Sequence, residues 1–436
     1  MKMINVAILG CGTVGTGVAR LLLENGELIK DRVGCDIHLK YVADIDTETD
    51  RGIDFRPGVM IQDAGAAIAD SSVDIVVETI GGEGIAKRLI LESIAKGKHV
   101  VTANKALLAK HGNDIIAEAT KYKVELAYEA SVGGCMPIIK TVRESLIGNR
   151  IGTMTGILNG TCNFILSKIT DEGIDFAAAL RQAQEEGYAE ADPTLDVEGQ
   201  DAAHKLAILA ALSYGMKINF DDVYIEGISK ITPLDIEFAA QFGYRVKLLA
   251  IAKFNGDAVE ARVHPTMIPF DNILSNVNGT LNAITLSGDA VDEILLVGHG
   301  AGMMPTASAV VSDISDIARD IVSGGTGRVP VMGYQPDKIR SIDVLSIEDI
   351  VTNYYFRFVV LDQPGVLAAI SGVLGNHDIS IKSVHQKGRK TDGSVPIIIL
   401  MHQAKEADVN RALKEIASLD VVDGEPLLVR IEEEKG

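Results

Sequence analysis

Between Glu186 and Lys205 the chain gathers Glu186, Glu190, Asp192, Asp196, Glu198 and Asp201 and then places a lysine among them. Carboxylates in that density can hold an ammonium group on a substrate. A lysine beside one of them can deliver a proton to an oxygen that is gaining negative charge. Asp192-Pro193 disfavours helix and favours a turn, so the first half of the stretch is expected as loop. Ala, Leu, Ile, Gln and Lys dominate from Glu198 to Ala211, which predicts a helix there. On that helix Asp201 and Lys205 stand four apart and share a face, with the acid N-terminal to the base. An acid in that position orients the lysine and favours its charged form. A solvated acidic loop running into a helix with a surface ion pair would carry the same residues. Which of the two holds depends on whether the rest of the chain brings a cofactor and a substrate to this place.

The N-terminus supplies a cofactor site. An apolar run at 3–9 enters Gly10-Cys11-Gly12-Thr13-Val14-Gly15, and a helix-compatible stretch from Val14 to Glu24 follows. Strand, tight glycine turn and helix in that order form the dinucleotide fingerprint, with free N–H groups at the helix start facing a pyrophosphate. A second strand, Ile37 to Ala43, ends in Asp44, an acid suited to the adenosine ribose hydroxyls and hostile to a 2′-phosphate, which favours NAD over NADP. Asp44 lies further from Gly15 than the usual spacing of roughly 20 residues, and Arg51 is near enough to take a 2′-phosphate. Short strands at 74–78 and 98–102 alternate with a helix at 83–96. This predicts a parallel, doubly wound sheet through residue 130, whose ligands sit beyond the carboxyl ends of the strands. Gly10, Asp44, Thr79, Gly81 and Lys105 all fall at such ends.

Further on, Cys135 in a glycine-rich loop is a candidate nucleophile, although no histidine is near it in sequence and its neighbours are small and apolar. Residues 151–165 are expected as a strand and a turn at Asn159-Gly160. Antiparallel runs at 247–254, 259–263, 283–286 and 294–297 then make an α+β substrate and dimerisation domain over 131–323. Gly298 to Gly302 opens a helix at 306–323, which would return the chain to the first domain at about 298–325. His299 in that turn is a candidate general base. Residues 324–350 are expected as a linker, and 351–436 as a βαββαβ, ferredoxin-like unit with a turn at 391–393.

A length of 436 residues fits two to three domains of about 150 each. The net charge of −19 argues against a nucleic-acid partner, which needs a basic footprint. No apolar run approaches the ~18 residues of a membrane span. The start runs directly into a strand without a cleavage site, and the scattered cysteines, Cys11, Cys35, Cys135 and Cys162, have no framework spacing. The expected setting is soluble, reducing and cytoplasmic.

Five segments together, GCGTVG at 10–15, TANK at 102–105, YEASVGGCMPII at 128–139, GYAEADPTLDVEGQDAAHK at 187–205 and GHGAGMMPTASAVVSDI at 298–314, resemble homoserine dehydrogenase over essentially the whole chain. DQPGVLA at 362–368 resembles an ACT module. The resemblance implies reduction of aspartate β-semialdehyde to homoserine with NADP or NAD. It implies Lys205 as the catalytic lysine, Lys105 as a second lysine touching substrate and cofactor, and Asp201 as the acid that holds Lys205. Glu190 and Asp196 are implied for the substrate, and Gly187 and Gly302 for the cofactor side, alongside Gly10, Gly12, Thr13, Val14, Gly15, Asp44 and Gly81. The backbone carbonyls of Glu129, Val132, Gly134 and Met136 are implied to hold a monovalent cation, usually sodium. In the ACT module Asp362, Gly365, Val366, Leu367 and Asn376 are implied to bind an amino-acid effector, with threonine the first expectation, in a homodimer or homotetramer. Two departures stand out: Ala43-Asp44 replaces the Arg-Asp of many relatives, and Cys162 stands where relatives often have threonine. An aspartate-semialdehyde dehydrogenase, which needs a reactive cysteine, and a non-catalytic amino-acid and NAD sensor are the alternatives.

Overall fold

The computed structural model describes residues 2–386 and 393–433. The chain gathers into two compact units: residues 1–160, 201–221 and 281–342 form one, and residues 161–200, 222–280 and 343–436 the other.

The first unit is built on six parallel strands: β1 (Met3–Leu9), β2 (Asp36–Ala43), β3 (Met60–Ile61), β4 (Ile75–Glu78), β5 (His99–Thr102) and β6 (Leu126–Ala127), in the order 3-2-1-4-5-6. The central strands are apolar on both faces because helices cover both; Ile4, Val6, Ile8, Ile75 and Val77 are completely buried. The helix Thr13–Glu24 packs on one face together with Met303–Ser323, where Ala307, Val310 and Ile314 join the same core. A three-stranded antiparallel sheet of Ile151–Ile157, Leu281–Gly288 and Asp292–His299 completes this unit, with the helix Gln200–Tyr214 buried along all but its first residue.

In the second unit Tyr244–Phe254 and Ala258–Pro269 form a long hairpin, closed by Asn255, whose side chain accepts from the Asp257 and Ala258 N–H groups. The C-terminal βαββαβ follows as expected, with its strands in the order Leu427–Ile431, Val351–Leu361, Ser394–Lys405, Ile381–Gln386. Its core is aromatic and β-branched: Tyr354, Phe356, Phe358, Ile370, Ile397, Ile399 and Ile416 are buried.

Several element expectations need correction. Gly160 does not sit in a turn that stays loop; it opens the helix Gly160–Glu172, which buries Cys162, Phe164, Ile165 and Leu166. The strand expected to end at Val263 continues to Pro269, because His264 to Ile268 are buried against Tyr244 to Leu249. The acid-bearing helix begins at Gln200 and runs to Tyr214, and a short helix, Thr194–Val197, interrupts the expected loop. Asp192 forms an Asx turn into that short helix, its Oδ1 accepting from both the N–H and the hydroxyl of Thr194. The stretch read as a linker is hydrogen-bonded structure, with Arg340 bracketing Gly215 and Lys217 and with Asp343–Val344 paired to Ala258–Val259. Of the expected turn at 391–393, residues 391 and 392 lie outside the described residues. No helix among the described residues is long and apolar enough to cross a membrane.

Candidate active site

The coenzyme cradle begins where β1 ends. Gly10 takes φ +96°, and a Cβ there would lie 2.8 Å from the Ile80 N–H nitrogen; at Gly15 it would lie 2.0 Å from the Gly10 carbonyl. Both positions therefore require glycine. At Gly12 a Cβ would meet nothing within 4 Å, so the mouth of the turn is open where a pyrophosphate approaches. Thr13, Val14 and Gly15 form the first helical turn, whose N–H groups have no intrahelical acceptor. These features fit a dinucleotide.

Asp44 is more engaged than its expected role requires. Its Oδ2 accepts from the Cys11 N–H at 2.5 Å and its Oδ1 from the Asp46 N–H at 2.9 Å, so the carboxylate ties the glycine turn to the end of β2. Arg51 lies against it, donating to the carbonyls of Cys11, Asp46 and Thr49, with its guanidinium 3.8 Å from Asp44. On the other side of the cradle Glu78 is completely buried at the end of β4. It accepts from the Ile80 and Gly81 N–H groups at 2.9 and 3.0 Å and from the Thr102 hydroxyl at 2.6 Å. Thr102 in turn accepts from the Asn104 N–H, and the Asn104 amide donates to the Gly82 carbonyl. Neither Glu78 nor Thr102 was singled out in the sequence; a glutamate ending a buried apolar strand is the signal that would have found the pair.

Asn104 also caps the helix Lys105–Tyr122, accepting from the Leu107 N–H, and this sets Lys105 at its first position. From there Lys105 Nζ reaches Asp201 Oδ1 at 3.0 Å. The second carboxylate oxygen, Oδ2, accepts from Lys205 Nζ at 2.7 Å and from the Asn159 amide at 2.9 Å. Lys205 also donates to the Leu158 carbonyl at 2.7 Å, and that oxygen accepts from the Asn282 amide at 2.9 Å. One carboxylate thus joins two ammonium groups, each from a different helix, with the end of the strand Ile151–Ile157 closing the third side. Asp201 and Lys205 are buried, whereas the Lys105 side chain is 42% exposed. Burial alone would raise the Asp201 pKa. The charges of Lys205 and Lys105, with hydrogen bonds from Lys205 and Asn159, outweigh it and hold the carboxyl well below the usual range. His204, the neighbour of Lys205, is shifted toward neutral by burial and packs 4.4 Å from the Phe220 ring.

The remaining candidates divide as follows. Glu190 and Asp196 belong to the second unit; Glu190 is exposed, and the Asp196 carbonyl accepts from the Cys162 thiol at 3.1 Å. Cys162 is thereby an anchor of the acidic turn. Gly187 takes φ +78° just after the helix Phe176–Glu185, and Gly302, at φ +121°, precedes the helix Met303–Ser323. In the loop 129–136 Gly133 and Gly134 are both left-handed, and Val132, Gly134 and Met136 are buried. The Glu129 carboxylate accepts from the Ile139 and Lys140 N–H groups, and its own N–H donates to Asp313. Burial first, and the charge of Asp313 second, push the Glu129 carboxyl up to about 7. The Glu129 carboxylate is thus committed to the backbone N–H groups of Ile139 and Lys140. Cys135 is exposed and its N–H donates to the carbonyl of His299, which is also exposed. In the ACT module Gly365, left-handed at φ +92°, starts the helix Val366–Asn376; Val366 is buried, while Asp362, Leu367 and Asn376 are exposed.

Comparison with known proteins agrees with this geometry. A family model described as "Homoserine dehydrogenase" matches residues 137–315, "Homoserine dehydrogenase, NAD binding domain" matches 10–129, and "ACT domain" matches 354–420. The chain is 44% identical over 432 residues to the homoserine dehydrogenase of Neisseria gonorrhoeae, covering 99% of each. It is 44% identical over 434 residues to that of Pseudomonas aeruginosa, covering 99% of this chain and 100% of the relative. A crystal structure of a homoserine dehydrogenase from Thiobacillus denitrificans superposes with a TM-score of 0.94 at 44% identity, covering 99% of both chains.

The ion cluster sets a stability expectation. Asp201→Ala leaves Lys205 buried without its anion and should cost about 3–5 kcal/mol. Lys205→Met removes the buried charge and leaves Asp201 with Lys105 and Asn159, and should cost less than half as much. Urea unfolding of both variants measures this, and a loss below about 1 kcal/mol for Asp201→Ala would contradict the pairing.

Proposed function

The chain belongs to the homoserine dehydrogenase family, and from that premise we propose that the Lys205–Asp201–Lys105 cluster is where aspartate β-semialdehyde is reduced to homoserine. The enzyme is an NAD(P)-dependent oxidoreductase of amino-acid biosynthesis with a C-terminal ACT domain. The single observation carrying the proposal is the buried carboxylate that binds two ammonium groups.

When bound, the nicotinamide coenzyme supplies the hydride that forms the new C–H bond at the aldehyde carbon. The carbonyl electron pair then moves to oxygen. Lys205 stabilises that growing charge and gives the oxygen its proton. Asp201 keeps Lys205 charged and aimed, and Lys105 carries a second positive charge toward the substrate carboxylate and the coenzyme. Glu190 and Asp196 take the substrate ammonium. Gly187 and Gly302 border the coenzyme. The carbonyls of Glu129, Val132, Gly134 and Met136 would hold a monovalent cation, sodium in this reading, whose charge would favour ionised Glu129. Folded protein prefers the protonated Glu129, so the stability it contributes is full below about 4.5 and is lost as pH rises through about 7. Asp44 opposes a 2′-phosphate and Arg51 is engaged with three carbonyls, which favours NAD. The ACT module senses threonine through Asp362, Gly365, Val366, Leu367 and Asn376, in a cytoplasmic homodimer or homotetramer. The coenzyme domain at 1–130, the catalytic domain at 131–323 and the ACT module at 351–436 are the functional divisions of this reading.

Lys205→Ala should lose at least about 10³-fold in kcat while still binding NADH, measured by coenzyme fluorescence. Near-normal turnover would overturn the assignment. Turnover of aspartate β-semialdehyde, followed with NADH and NADPH, in sodium or N-methylglucamine chloride, with and without threonine, tests the finer readings. NADH should be preferred by about tenfold or more, a difference of ~1.4 kcal/mol. Sodium should raise the melting temperature, more at pH 8 than at pH 6, and millimolar threonine should lower the rate. Equal use of both coenzymes, indifference to sodium or indifference to threonine would each remove the corresponding reading.

A further inference from the structure

The last strand of the ACT module does more than close its own sheet. Leu427–Ile431 pairs antiparallel with Val351–Leu361 on one side, and on the other it pairs parallel with Ala258–Pro269, through Thr266 with Arg430 and Met267 with Ile431. The module is therefore joined to the long hairpin by backbone pairing. Arg430, 3% exposed, sits at that seam. Its guanidinium donates to both oxygens of Glu406, a buried residue that opens the ACT helix Glu406–Ala417. The same guanidinium donates to Glu226 Oε2 at 2.7 Å and to the Tyr224 hydroxyl at 3.1 Å, and its carbon lies 4.9 Å from the Tyr224 ring centre. Tyr224 also donates to Glu226 at 3.0 Å. One arginine thus ties a carboxylate inside the ACT module to a carboxylate outside it.

Glu226 is positioned to pass that tie onward. Its N–H donates to the Val263 carbonyl at 2.8 Å, and two residues later the Ile228 N–H donates to the Val197 carbonyl at 2.9 Å. Between them Gly227 has no room for a side chain: a Cβ would stand 2.4 Å from the Val197 oxygen and 2.6 Å from the Glu198 Cα. The turn 226–228 is therefore held against the end of the helix Thr194–Val197, which carries Asp196. Glu198, Gln200, Glu226 and Gly227 line one open hollow of about 360 Å³. Gln200 then begins the helix that bears Asp201 and Lys205.

We infer that Arg430 is a positioning residue for the substrate segment. Through Glu226 and the turn 226–228 it fixes residues 194–199, so the state of the ACT module is expressed at Asp196 and at the root of the catalytic helix. A charge cluster with Arg430 and Glu406 buried and Glu226 half-buried suits this task because it has a narrow geometric optimum and few ways to relax. The inference rests on the reading of 187–205 as the substrate segment.

The test uses the full-length enzyme with Glu226→Gln, Arg430→Lys and the double variant. Glu226→Gln should raise KM for aspartate β-semialdehyde about 5- to 10-fold, leave kcat within about twofold and leave KM for the coenzyme unchanged. Arg430→Lys should do the same, and the double variant should be no worse than either single one, as expected for residues acting as a pair. If Arg430→Lys does not fold, Tyr224→Phe takes its place in the cycle. A semialdehyde KM within twofold of the parent in the single variants would overturn the inference. So would additive effects, or a uniform fall of kcat and both KM-dependent rates that tracks the melting temperature. A parent enzyme that binds NADH but does not turn over the semialdehyde would overturn the underlying reading as well.

Discussion

The site depends on one buried carboxylate placed between two ammonium groups. An isolated charge in a low-dielectric interior is costly, and a lone Lys205 or a lone Asp201 would be driven toward its neutral form. Together with Lys105 and the Asn159 amide they keep their charges, and Asp201 is ionised across any physiological pH. That arrangement requires three chain segments to converge within hydrogen-bond reach: the end of β5 with Lys105, the helix Gln200–Tyr214, and the strand end at Leu158 and Asn159. The parallel sheet, the antiparallel sheet and the buried helix of the first unit are the means by which these segments meet.

The coenzyme side obeys the same economy of buried polar groups. Asp44 and Glu78, at the ends of the two strands that flank β1, each use a carboxylate to hold backbone N–H groups of a glycine turn. Fixing the turns in advance means that binding does not have to order them, and the binding energy can go to orienting the reactants. Glu78 also reaches, through Thr102 and Asn104, the turn that carries Lys105, so the Glu78 side of the cradle and Lys105 share one hydrogen-bonded frame.

Much of this was legible in the residues. Strand, glycine turn and helix at 3–24 announce the cradle because that order presents free N–H groups to a phosphate. The four-residue spacing announces Asp201 and Lys205 as one pair. What spacing cannot carry is contact between residues far apart in sequence. Nothing local in NKAL signals that Lys105 meets Asp201, and nothing near Asn159 or Asn282 signals that they close the site. Asn159-Gly160 is a turn dipeptide, but the buried face of the following helix overrides that preference and Gly160 opens the helix. The linker expectation failed for a related reason, since Gly, Pro and Asp mark irregular backbone whether it is free or, as at Arg340 and Asp343, hydrogen-bonded to the fold.

The central claim is that Asp201 acts on the reaction by holding Lys205 charged. Its most direct test is the pH dependence of kcat/KM for aspartate β-semialdehyde in Asp201→Asn beside the parent enzyme. Neutralising the anion next to the proton donor should move the alkaline limb of the profile to lower pH, by about one unit or more. An alkaline limb that stays where it is, with only the height of the profile reduced, would show that Asp201 does not set the charge of the proton donor.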